Sequence, residues 1–298
     1  MLDFSQVHFG PRKFLDARRR ELAALEFDRI RVMPIAPVIG AVLEGPDLRE
    51  PLDDETFREV ERALHEFKVI FFNDQDVTEA QQAAFASRFG ELEEHPFLPS
   101  PEGKPEVIRF AKDEETVAVE NAWHSDVSWR EIPSLGSVLR ARKIPEIGGD
   151  TLWADMESAY EGLTDELKEK IEGAVAVHDF VNSFGLGMTP ERRAEMSAKF
   201  PPVEHPVVRT HASTGRRSIF VNAIFTSHVK GIEPEESDAL LRDLYRQSTY
   251  PEYQVRFRWA ENSVALWDNR STQHYATSDY WPQERVMDRI TIIGERPF

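Results

Sequence analysis

The stretch Ser263-Val-Ala-Leu-Trp-Asp-Asn-Arg-Ser-Thr-Gln-His-Tyr275 passes directly from apolar residues to polar ones. Its first half, Val264 to Trp267, has the length and composition of a core strand. Its second half is dense in polar side chains and contains His274, which is typical of a site at the mouth of a barrel. The stretch therefore predicts a β-rich fold with polar chemistry at the end of a strand.

Short segments of the same kind recur along the chain. Val69-Ile-Phe-Phe72 is a compact apolar run and predicts a core strand. Turn residues within 34–43 predict one or two short strands there. We predict further strands at 106–110, 136–140, 174–180, 207–210, 218–221, 254–258, 263–267 and 289–294. This pattern favours a sandwich or barrel with helices on its outside.

Helical periodicity is confined to a few segments. Residues 53–67 place Phe57, Val60, Leu64 and Phe67 on one face, which predicts an amphipathic helix. Another helix begins at Thr78, a suitable N-cap with Gln81 three residues later, and ends near Gly90. Further helices are predicted at 11–27, 165–172 and 234–247.

No internal repeat or linker divides the chain. We therefore expect an N-terminal extension over residues 1–33, mainly helical, followed by a single catalytic domain over residues 34–298.

Composition excludes several classes of protein. The chain has 298 residues, with 36 basic and 53 acidic side chains and a formal charge of −17. That balance argues against a nucleic acid or an anionic membrane as partner. No run approaches the roughly 18 apolar residues of a membrane helix, and no signal peptide is evident. We therefore expect a cytoplasmic enzyme.

The chain contains no cysteine. Disulfide scaffolds, zinc fingers and cysteine nucleophiles are thereby excluded, and any metal must be bound by His, Asp or Glu.

Trp123-His124-Ser125-Asp126 offers one such pair of ligands. The Val-Ser-Trp run that follows is predicted to be extended, and residues two apart on a strand project to the same face. His124 and Asp126 with a distant histidine would form the facial triad of non-heme Fe(II) oxygenases. A His-x-Asp pair is common by chance, and the alternative is a surface Asp beside a packed His.

His274 is the first candidate for the distant histidine. Spacing alone leaves His95, His178, His205, His211 and His228 open as rivals. Each of these is also compatible with a hydrogen-bonded structural histidine or a surface one.

Arg285 and Arg289 precede the apolar run that starts at Ile290. On an extended segment they would share one face, and two buried guanidinium groups are costly unless each meets an anion. Arginine suits this role because its planar fork matches a carboxylate. The alternative is a pair of surface arginines on an edge strand.

Four motifs of the sequence carry a resemblance to a known family. They are His124-x-Asp126, Gly148-Gly-Asp-Thr151-Leu-Trp-Ala, Trp267-Asp-Asn-Arg with Gln273-His274-Tyr-Ala, and Pro282-Gln-Glu-Arg285 with Arg289. In this order and spacing they resemble the taurine/2-oxoglutarate dioxygenase family, and the resemblance runs from about Pro34 to the C-terminus.

The resemblance implies a double-stranded β-helix, a jelly-roll barrel with helices outside it. It implies His124, Asp126 and His274 as ligands of Fe(II). It also implies that Thr151 and Arg285 hold the distal carboxylate of 2-oxoglutarate, with O2 as the other co-substrate.

The resemblance further implies a substrate pocket formed by His95, Phe184, Phe225 and Arg289. Arg289 and His95 would clamp an anion, and the two phenylalanines would bracket its carbon chain. Two positions depart from the taurine pocket, which has a tyrosine where this chain has Leu98 and an asparagine where it has Glu120.

The implied reaction hydroxylates the carbon next to the head group of a small organic anion, first of all a taurine-type organosulfonate that releases sulfite. An alkylsulfatase, an aryloxyalkanoate dioxygenase or a phosphonate hydroxylase of the same family are alternatives. A cupin-like metal protein without redox chemistry is another. A homo-oligomer is also expected, and the glycine-rich segment 184–188 resembles a lid.

Overall fold

Short apolar runs between turn residues form the strands of this protein. The computed structural model describes residues 15–116 and 121–298. Within these ranges the helices are α1 (Leu15–Ala23), α2 (Asp54–Phe67), α3 (Glu79–Ser87), α4 (Met156–Glu161), α5 (Asp165–Ile171), α6 (Pro190–Lys199) and α7 (Pro234–Gln247). The strands are β1 (Arg31–Pro34), β2 (Ala41–Glu44), β3 (Val69–Phe72), β4 (Val107–Lys112), β5 (Ser134–Lys143), β6 (Thr151–Asp155), β7 (Val175–His178), β8 (Val203–Pro206), β9 (Val208–Thr210), β10 (Arg217–Ile219), β11 (Thr226–Val229), β12 (Gln254–Phe257), β13 (Val264–Asp268), β14 (Thr272–Ala276) and β15 (Arg285–Ile293).

The largest sheet has seven strands in the order β1-β2-β3-β13-β5-β15-β4. Strands β2 and β3 are parallel, and the other pairs are antiparallel. The interior strand β3 is buried along its whole length, as its Val-Ile-Phe-Phe sequence predicts. Both faces of this sheet must therefore be covered by other elements.

Helices α2 and α3 cover the outer face of the large sheet. Val60 and Leu64 of α2 share a hydrophobic cluster with Ile70 and Phe72 of β3. Asp53 caps α2, and Thr78 with Gln81 forms the capping box that starts α3. The predicted helix starts and the buried face of α2 are thus confirmed.

A three-stranded sheet, β12-β6-β14, packs on the inner face of the large sheet. Phe71 of β3 stacks on Phe257 of β12 with ring centroids 3.9 Å apart. Trp153 of β6 and Trp267 of β13 belong to the same apolar cluster. Two smaller sheets, β11-β7-β8 and β10-β9, complete the strand inventory of the described residues. None of the four sheets closes on itself within that part of the chain.

The predicted class, mostly β with flanking helices, is confirmed. Strands β1, β6, β8, β11 and β14 and helices α4 and α6 add to the predicted elements. One local prediction is wrong: residues 127–129 form a turn, not an extended run, and Val127 has a positive φ of 56°. No helix in ranges 15–116 and 121–298 is both long and apolar enough to cross a bilayer.

Candidate metal centre and cavity

A cavity of about 380 Å³ lies between the inner face of the large sheet and the smaller sheet. All nine residues predicted for the site line it: His95, His124, Asp126, Thr151, Phe184, Phe225, His274, Arg285 and Arg289. Strands β4, β5, β6, β13, β14 and β15 all contribute walls, so the fold brings together residues that are far apart in the sequence.

His124, Asp126 and His274 meet at one point of this cavity. Their potential ligand atoms all lie within 4.8 Å of one another. Asp126 lies 3.7 Å from Nε2 of His124 and 3.9 Å from Nε2 of His274. Two imidazoles and a carboxylate around one point can hold a divalent metal on one face and leave other positions open.

Backbone pairing brings the two histidines together. His124 and His274 form an isolated antiparallel bridge, with N–O distances of 3.1 Å and 2.8 Å. The chain then turns at Asp126, and the side chain of Asn269 holds this turn. Asn269 accepts a hydrogen bond from the Asp126 amide at 2.7 Å and donates one to the Asp126 carbonyl at 2.9 Å.

The hydrogen bonds and charges suit metal ligands. Nδ1 of His124 donates to the Ala122 carbonyl at 2.9 Å, so in the neutral ring it is Nε2 that carries the lone pair a metal needs. Burial, with His124 nearby, lowers the pKa of His274 to about 3, so this imidazole is neutral at neutral pH. Burial would raise the pKa of Asp126, but Arg289 and then His274 outweigh it, and that pKa is lowered.

A second group of potential ligands, His65, His211 and Asp268, has a different character. Arg270 donates to both oxygens of Asp268, at 2.9 Å and 2.7 Å, and to Nε2 of His65 at 3.3 Å. His211 lies 2.9 Å from Asp268. A guanidinium therefore already occupies the position that a cation would take, and this group is a structural ion pair network.

Thr151 and Arg285 lie together at another wall of the cavity. Nη2 of Arg285 is 3.5 Å from Oγ1 of Thr151, and its Nε donates to the Gly149 carbonyl at 3.1 Å. Trp259 donates to the same Thr151 hydroxyl oxygen at 3.0 Å. Gly149 has φ +72°, and a Cβ there would lie 3.1 Å from Arg285. The glycine thus lets the backbone approach the arginine closely.

Arg289 lies beside the metal ligands. Its Nη1 is 3.0 Å and 3.2 Å from the two oxygens of Asp126, and its guanidinium lies 4.9 Å from the centroid of the Phe110 ring. Its buried Nε has no hydrogen-bond partner among the described residues. Because Arg289 lines the cavity, its guanidinium can offer N–H groups to an anion there.

His95 is a neutral donor on the same cavity. Its Nδ1 accepts a hydrogen bond from the Phe97 amide at 3.2 Å, which places the ring proton on Nε2. Burial, followed by the charges of Arg289 and Arg130, lowers the pKa of His95 to about 3. The ring can donate one hydrogen bond without adding a charge.

Aromatic side chains form the apolar part of the cavity. The rings of Phe184 and Phe225 stack with centroids 6.1 Å apart, and Phe184 lies 5.5 Å from the His95 ring. Leu98 lines the cavity as well. Glu120, the other departure from the taurine pocket, lies outside the described residues.

The other four histidines that spacing left open do not line this cavity. His178 contacts Ser128 at 3.1 Å, and Nε2 of His205 lies 2.8 Å from the Arg130 carbonyl. His211 contacts Asp268, and His228 is exposed. These histidines belong to hydrogen-bond networks or to the surface. Because those surroundings are set by the tertiary fold, spacing alone could not separate them from His274.

Sequence reasoning missed three residues of the site. Asn269 belongs to the Trp267-Asp-Asn-Arg motif, and its position just after a predicted strand could have indicated a role at the site. Lys112 lines the cavity directly opposite Arg285 in the register of β4 and β15. Trp259, which fixes Thr151, has no sequence signal because only the tertiary fold brings it there.

Comparisons with known proteins agree with this geometry. The family model described as "Taurine catabolism dioxygenase TauD, TfdA family" matches residues 31–291. An alkylsulfatase from Acinetobacter baylyi is 39% identical, over 86% of this chain and 83% of that protein. An alpha-ketoglutarate-dependent 2,4-dichlorophenoxyacetate dioxygenase from Cupriavidus pinatubonensis is 36% identical, over 88% of this chain and 97% of that protein.

A solved structure is similar over most of the fold. The crystal structure of a taurine dioxygenase from Burkholderia xenovorans has a TM-score of 0.78 and 36% identity, and the match covers 91% of each chain. Since the family model and these relatives span most of the sequence, the chain belongs to the taurine catabolism dioxygenase TauD, TfdA family and is a 2-oxoglutarate-dependent non-heme iron dioxygenase.

Proposed function

We propose that this enzyme hydroxylates the carbon next to the head group of a small organic anion that carries a sulfonate or a sulfate ester. The observation that carries the proposal is the cavity itself. Arg289 and His95 offer N–H donors to an anion beside the metal ligands, and the wall around them is aromatic. An organosulfonate of the taurine type is the first candidate.

Alkyl sulfate esters are the second candidate. Leu98 and the two phenylalanines provide an apolar wall that suits an alkyl tail, and a relative of this chain is named an alkylsulfatase. An aryloxyalkanoate would place a carboxylate at the same donors, and another relative has a substrate of that kind in its name.

We assign the metal to His124, Asp126 and His274. The family uses Fe(II), 2-oxoglutarate and O2, and the bound iron supplies the oxidising chemistry. Neutral His274 and ionised Asp126 are in the protonation states that metal binding needs. The group around Asp268 offers no comparable site, because the guanidinium of Arg270 already pairs with that carboxylate.

We assign the distal carboxylate of 2-oxoglutarate to Arg285 and Thr151. A guanidinium with a hydroxyl at 3.5 Å can bind one carboxylate through three donors. Because Trp259 donates to the Thr151 oxygen, the hydroxyl proton is free to point at the carboxylate. The sheet β12-β6-β14 facing the large sheet supports a double-stranded β-helix as the fold.

In this arrangement the residues of the chain position the substrate. Arg289 and His95 hold the head group, so the adjacent C–H lies toward the metal. Phe184 and Phe225 bracket the carbons and exclude water. Hydroxylation of that carbon in a sulfonate gives an unstable product that expels sulfite and leaves an aldehyde, while 2-oxoglutarate becomes succinate and CO2. A sulfate ester would release sulfate instead.

The test is succinate formation from 2-oxoglutarate with Fe(II) across matched sulfonates, alkyl sulfates and aryloxyacetates. We expect release of sulfite or sulfate in step with succinate for the first two classes. Anion-independent succinate formation, or coupled turnover only with aryloxyacetates, would contradict the proposed head group.

Arg289 can be tested separately. We expect Arg289→Gln to raise KM for the organic anion by about 100-fold, because a charged hydrogen-bond partner is lost. The affinity for 2-oxoglutarate should change much less, since Arg285 and Thr151 are intact. The exposed Arg58→Gln is the matched control. Equal loss of 2-oxoglutarate binding in Arg289→Gln would overturn the division of roles.

A further inference from the structure

One loop of the cavity wall carries two of its apolar side chains. Residues 221–226, which we call the wall loop, bring Ile224 and Phe225 to the cavity. Phe225 is buried, and its ring centroid lies 6.4 Å from that of the His124 ring. The position of the wall loop therefore decides where the carbon chain of a substrate lies relative to the metal ligands.

The side chain of Asn222 organises the wall loop from within. Its Oδ1 accepts hydrogen bonds from the amides of Ile224 at 3.2 Å and Phe225 at 3.0 Å. The Asn222 amide donates to the Thr226 hydroxyl at 3.0 Å, and the Thr226 amide donates back to the Asn222 carbonyl at 3.1 Å. Asn222 is fully buried, so water cannot easily replace these bonds. A shift of Asn222 must therefore move Phe225 as well.

The hydroxyl of Ser128 joins Asn222 to the turn that follows Asp126. Nδ2 of Asn222 donates to Oγ of Ser128 at 2.9 Å, and Nδ1 of His178 lies 3.1 Å from the same oxygen. Because the hydroxyl oxygen accepts from Asn222, its own proton can be donated to the His178 ring. Ser128 and His178 are both fully buried. The turn at the Asp126 ligand and the wall loop thus share one hydrogen-bonded hydroxyl.

A second tie to the wall loop comes from the other segment that carries a metal ligand. Gln273 directly precedes His274, and its Nε2 donates to the Val221 carbonyl at 2.8 Å. The Gln273 side chain is buried as well. The two ties reach adjacent residues of the wall loop, Val221 and Asn222, from segments that are distant in the sequence. Both segments that hold the metal ligands therefore fix the position of the wall loop.

We propose that Ser128 and Gln273 are positioning residues that set the distance between the metal and the carbon chain of the substrate. Neither side chain lines the cavity, and both act through the wall loop and Phe225. This inference rests on the proposed function, since it assumes that the carbons of the substrate lie against Phe225. Positioning of this kind matters because a displacement of about 1 Å caused by a remote mutation can cost on the order of 100-fold in rate.

Two anions with the same head group separate the tail from the head. The long probe is hexyl sulfate and the short probe is methyl sulfate, or hexanesulfonate and methanesulfonate if only sulfonates support turnover. The protein is loaded with Mn(II) and N-oxalylglycine, which prevents turnover. Calorimetry measures binding of the long probe, and displacement of the long probe measures binding of the short one. The ratio of the two affinities reports contact with the tail.

Each tie can be removed with little change in volume. We expect Ser128→Ala and Gln273→Met each to weaken binding of the long probe by about tenfold, the effect of exposing roughly two methylene groups. Binding of the short probe should change by less than about twofold. A general loss of structure would weaken both probes. The control is Ser248→Ala, because Ser248 is also fully buried and donates to the Tyr245 carbonyl at 2.9 Å, and it should keep the wild-type ratio.

A double-mutant cycle tests whether the ties act through Phe225. Phe225→Ala removes the ring that Ser128 positions. In that background we expect Ser128→Ala to weaken binding of the long probe by less than about twofold. A tenfold loss in both backgrounds would mean that Ser128 acts by another route, and it would overturn the proposal.

The outcomes separate the positioning role from the proposed function. A wild-type ratio in folded Ser128→Ala or in folded Gln273→Met would overturn the role of that residue, while the proposed function stands. Binding of neither probe by the wild-type protein, together with no anion-dependent succinate formation, would overturn the proposed function and the inference with it. If Ser128→Ala does not fold, Gln273→Met, alone and combined with Phe225→Ala, decides the matter.

Discussion

Asn269 fixes the position of a metal ligand without touching the metal site itself. Its side chain accepts a hydrogen bond from the backbone N–H of Asp126 and donates one to the Asp126 carbonyl. It also donates to the Ser134 carbonyl at 3.2 Å. All these groups are buried, so no water can replace the lost bonds easily. The carboxylate of Asp126 therefore depends on Asn269 for its orientation.

We expect Asn269→Ala to weaken Mn(II) binding by about 10–100-fold, as loss of an outer hydrogen-bond partner typically does. It should also reduce the free energy of unfolding by about 1–3 kcal/mol. Metal titration by calorimetry and urea denaturation measure the two effects. Exposed Asn182→Ala is the control, and unchanged metal affinity in Asn269→Ala would contradict this role.

At the residue scale, chemistry was easier to predict than local conformation. The pairing of His124 with Asp126 was inferred from an extended run, yet residues 126–129 form a turn. The two side chains still converge because the bridge to His274 and the bonds to Asn269 fix them. Those contacts join residues that are 150 and 143 positions apart, and no local pattern reports them.

Gly136 determines how closely β5 and β13 approach each other. It is paired with Asp268 in the register, and a Cβ at Gly136 would lie 2.2 Å from the Trp267 carbonyl oxygen. The three nearest atoms are all backbone atoms of β13, so no flexible side chain can move aside. The end of β13 leads directly to Asn269, so this contact also supports the metal centre.

We expect Gly136→Ala to reduce the free energy of unfolding by at least about 1–3 kcal/mol, the usual cost of overpacking. Urea denaturation of the metal-free protein measures this. Gly187→Ala is the matched control, because a Cβ there meets no atom within 4 Å and its φ is not in the positive range. Equal stability of the two variants would contradict the close approach.

At the scale of elements, apolar content decided what could be predicted. Strands such as β3 and β13 were predicted because they are continuous apolar runs, and α2 because its apolar residues share one face. Strand β14 has the sequence Thr-Gln-His-Tyr-Ala, which resembles a loop. It is a strand because β6 pairs with it over five residues, which is tertiary information.

Over the whole molecule, buried neutral histidines make stability depend on pH. Burial, followed by the effect of His205, lowers the pKa of His178 to about 3, well below the 6.5 of a free side chain. The unfolded chain then binds more protons than the folded one below pH 6.5. The contribution of neutral His178 to the free energy of unfolding is therefore complete above pH 6.5 and is lost as the pH falls toward 3.

We expect the free energy of unfolding of the metal-free protein to decrease by on the order of 2 kcal/mol between pH 7 and pH 5 through His178 alone. Urea denaturation at several pH values measures this slope, and His178→Gln should make it shallower. Exposed His228→Gln is the control. An equal slope in the His178→Gln and wild-type proteins would contradict this account.

Other expectations at this scale stay predictions. These are the homo-oligomeric state, the cytoplasmic location, and the division into residues 1–33 and 34–298. The acidic composition says little about the ligand, because the cavity concentrates Arg285, Arg289 and Lys112 against the overall charge.

The central claim is that His124, Asp126 and His274 bind the metal and that the group around Asp268 does not. Calorimetric titration of Mn(II) in the presence of N-oxalylglycine tests it with two variants. We predict one equivalent of bound Mn(II) for the wild-type protein and for His65→Ala, and none for Asp126→Ala. Retention of tight binding by Asp126→Ala, or its loss in a folded His65→Ala protein, would contradict the claim.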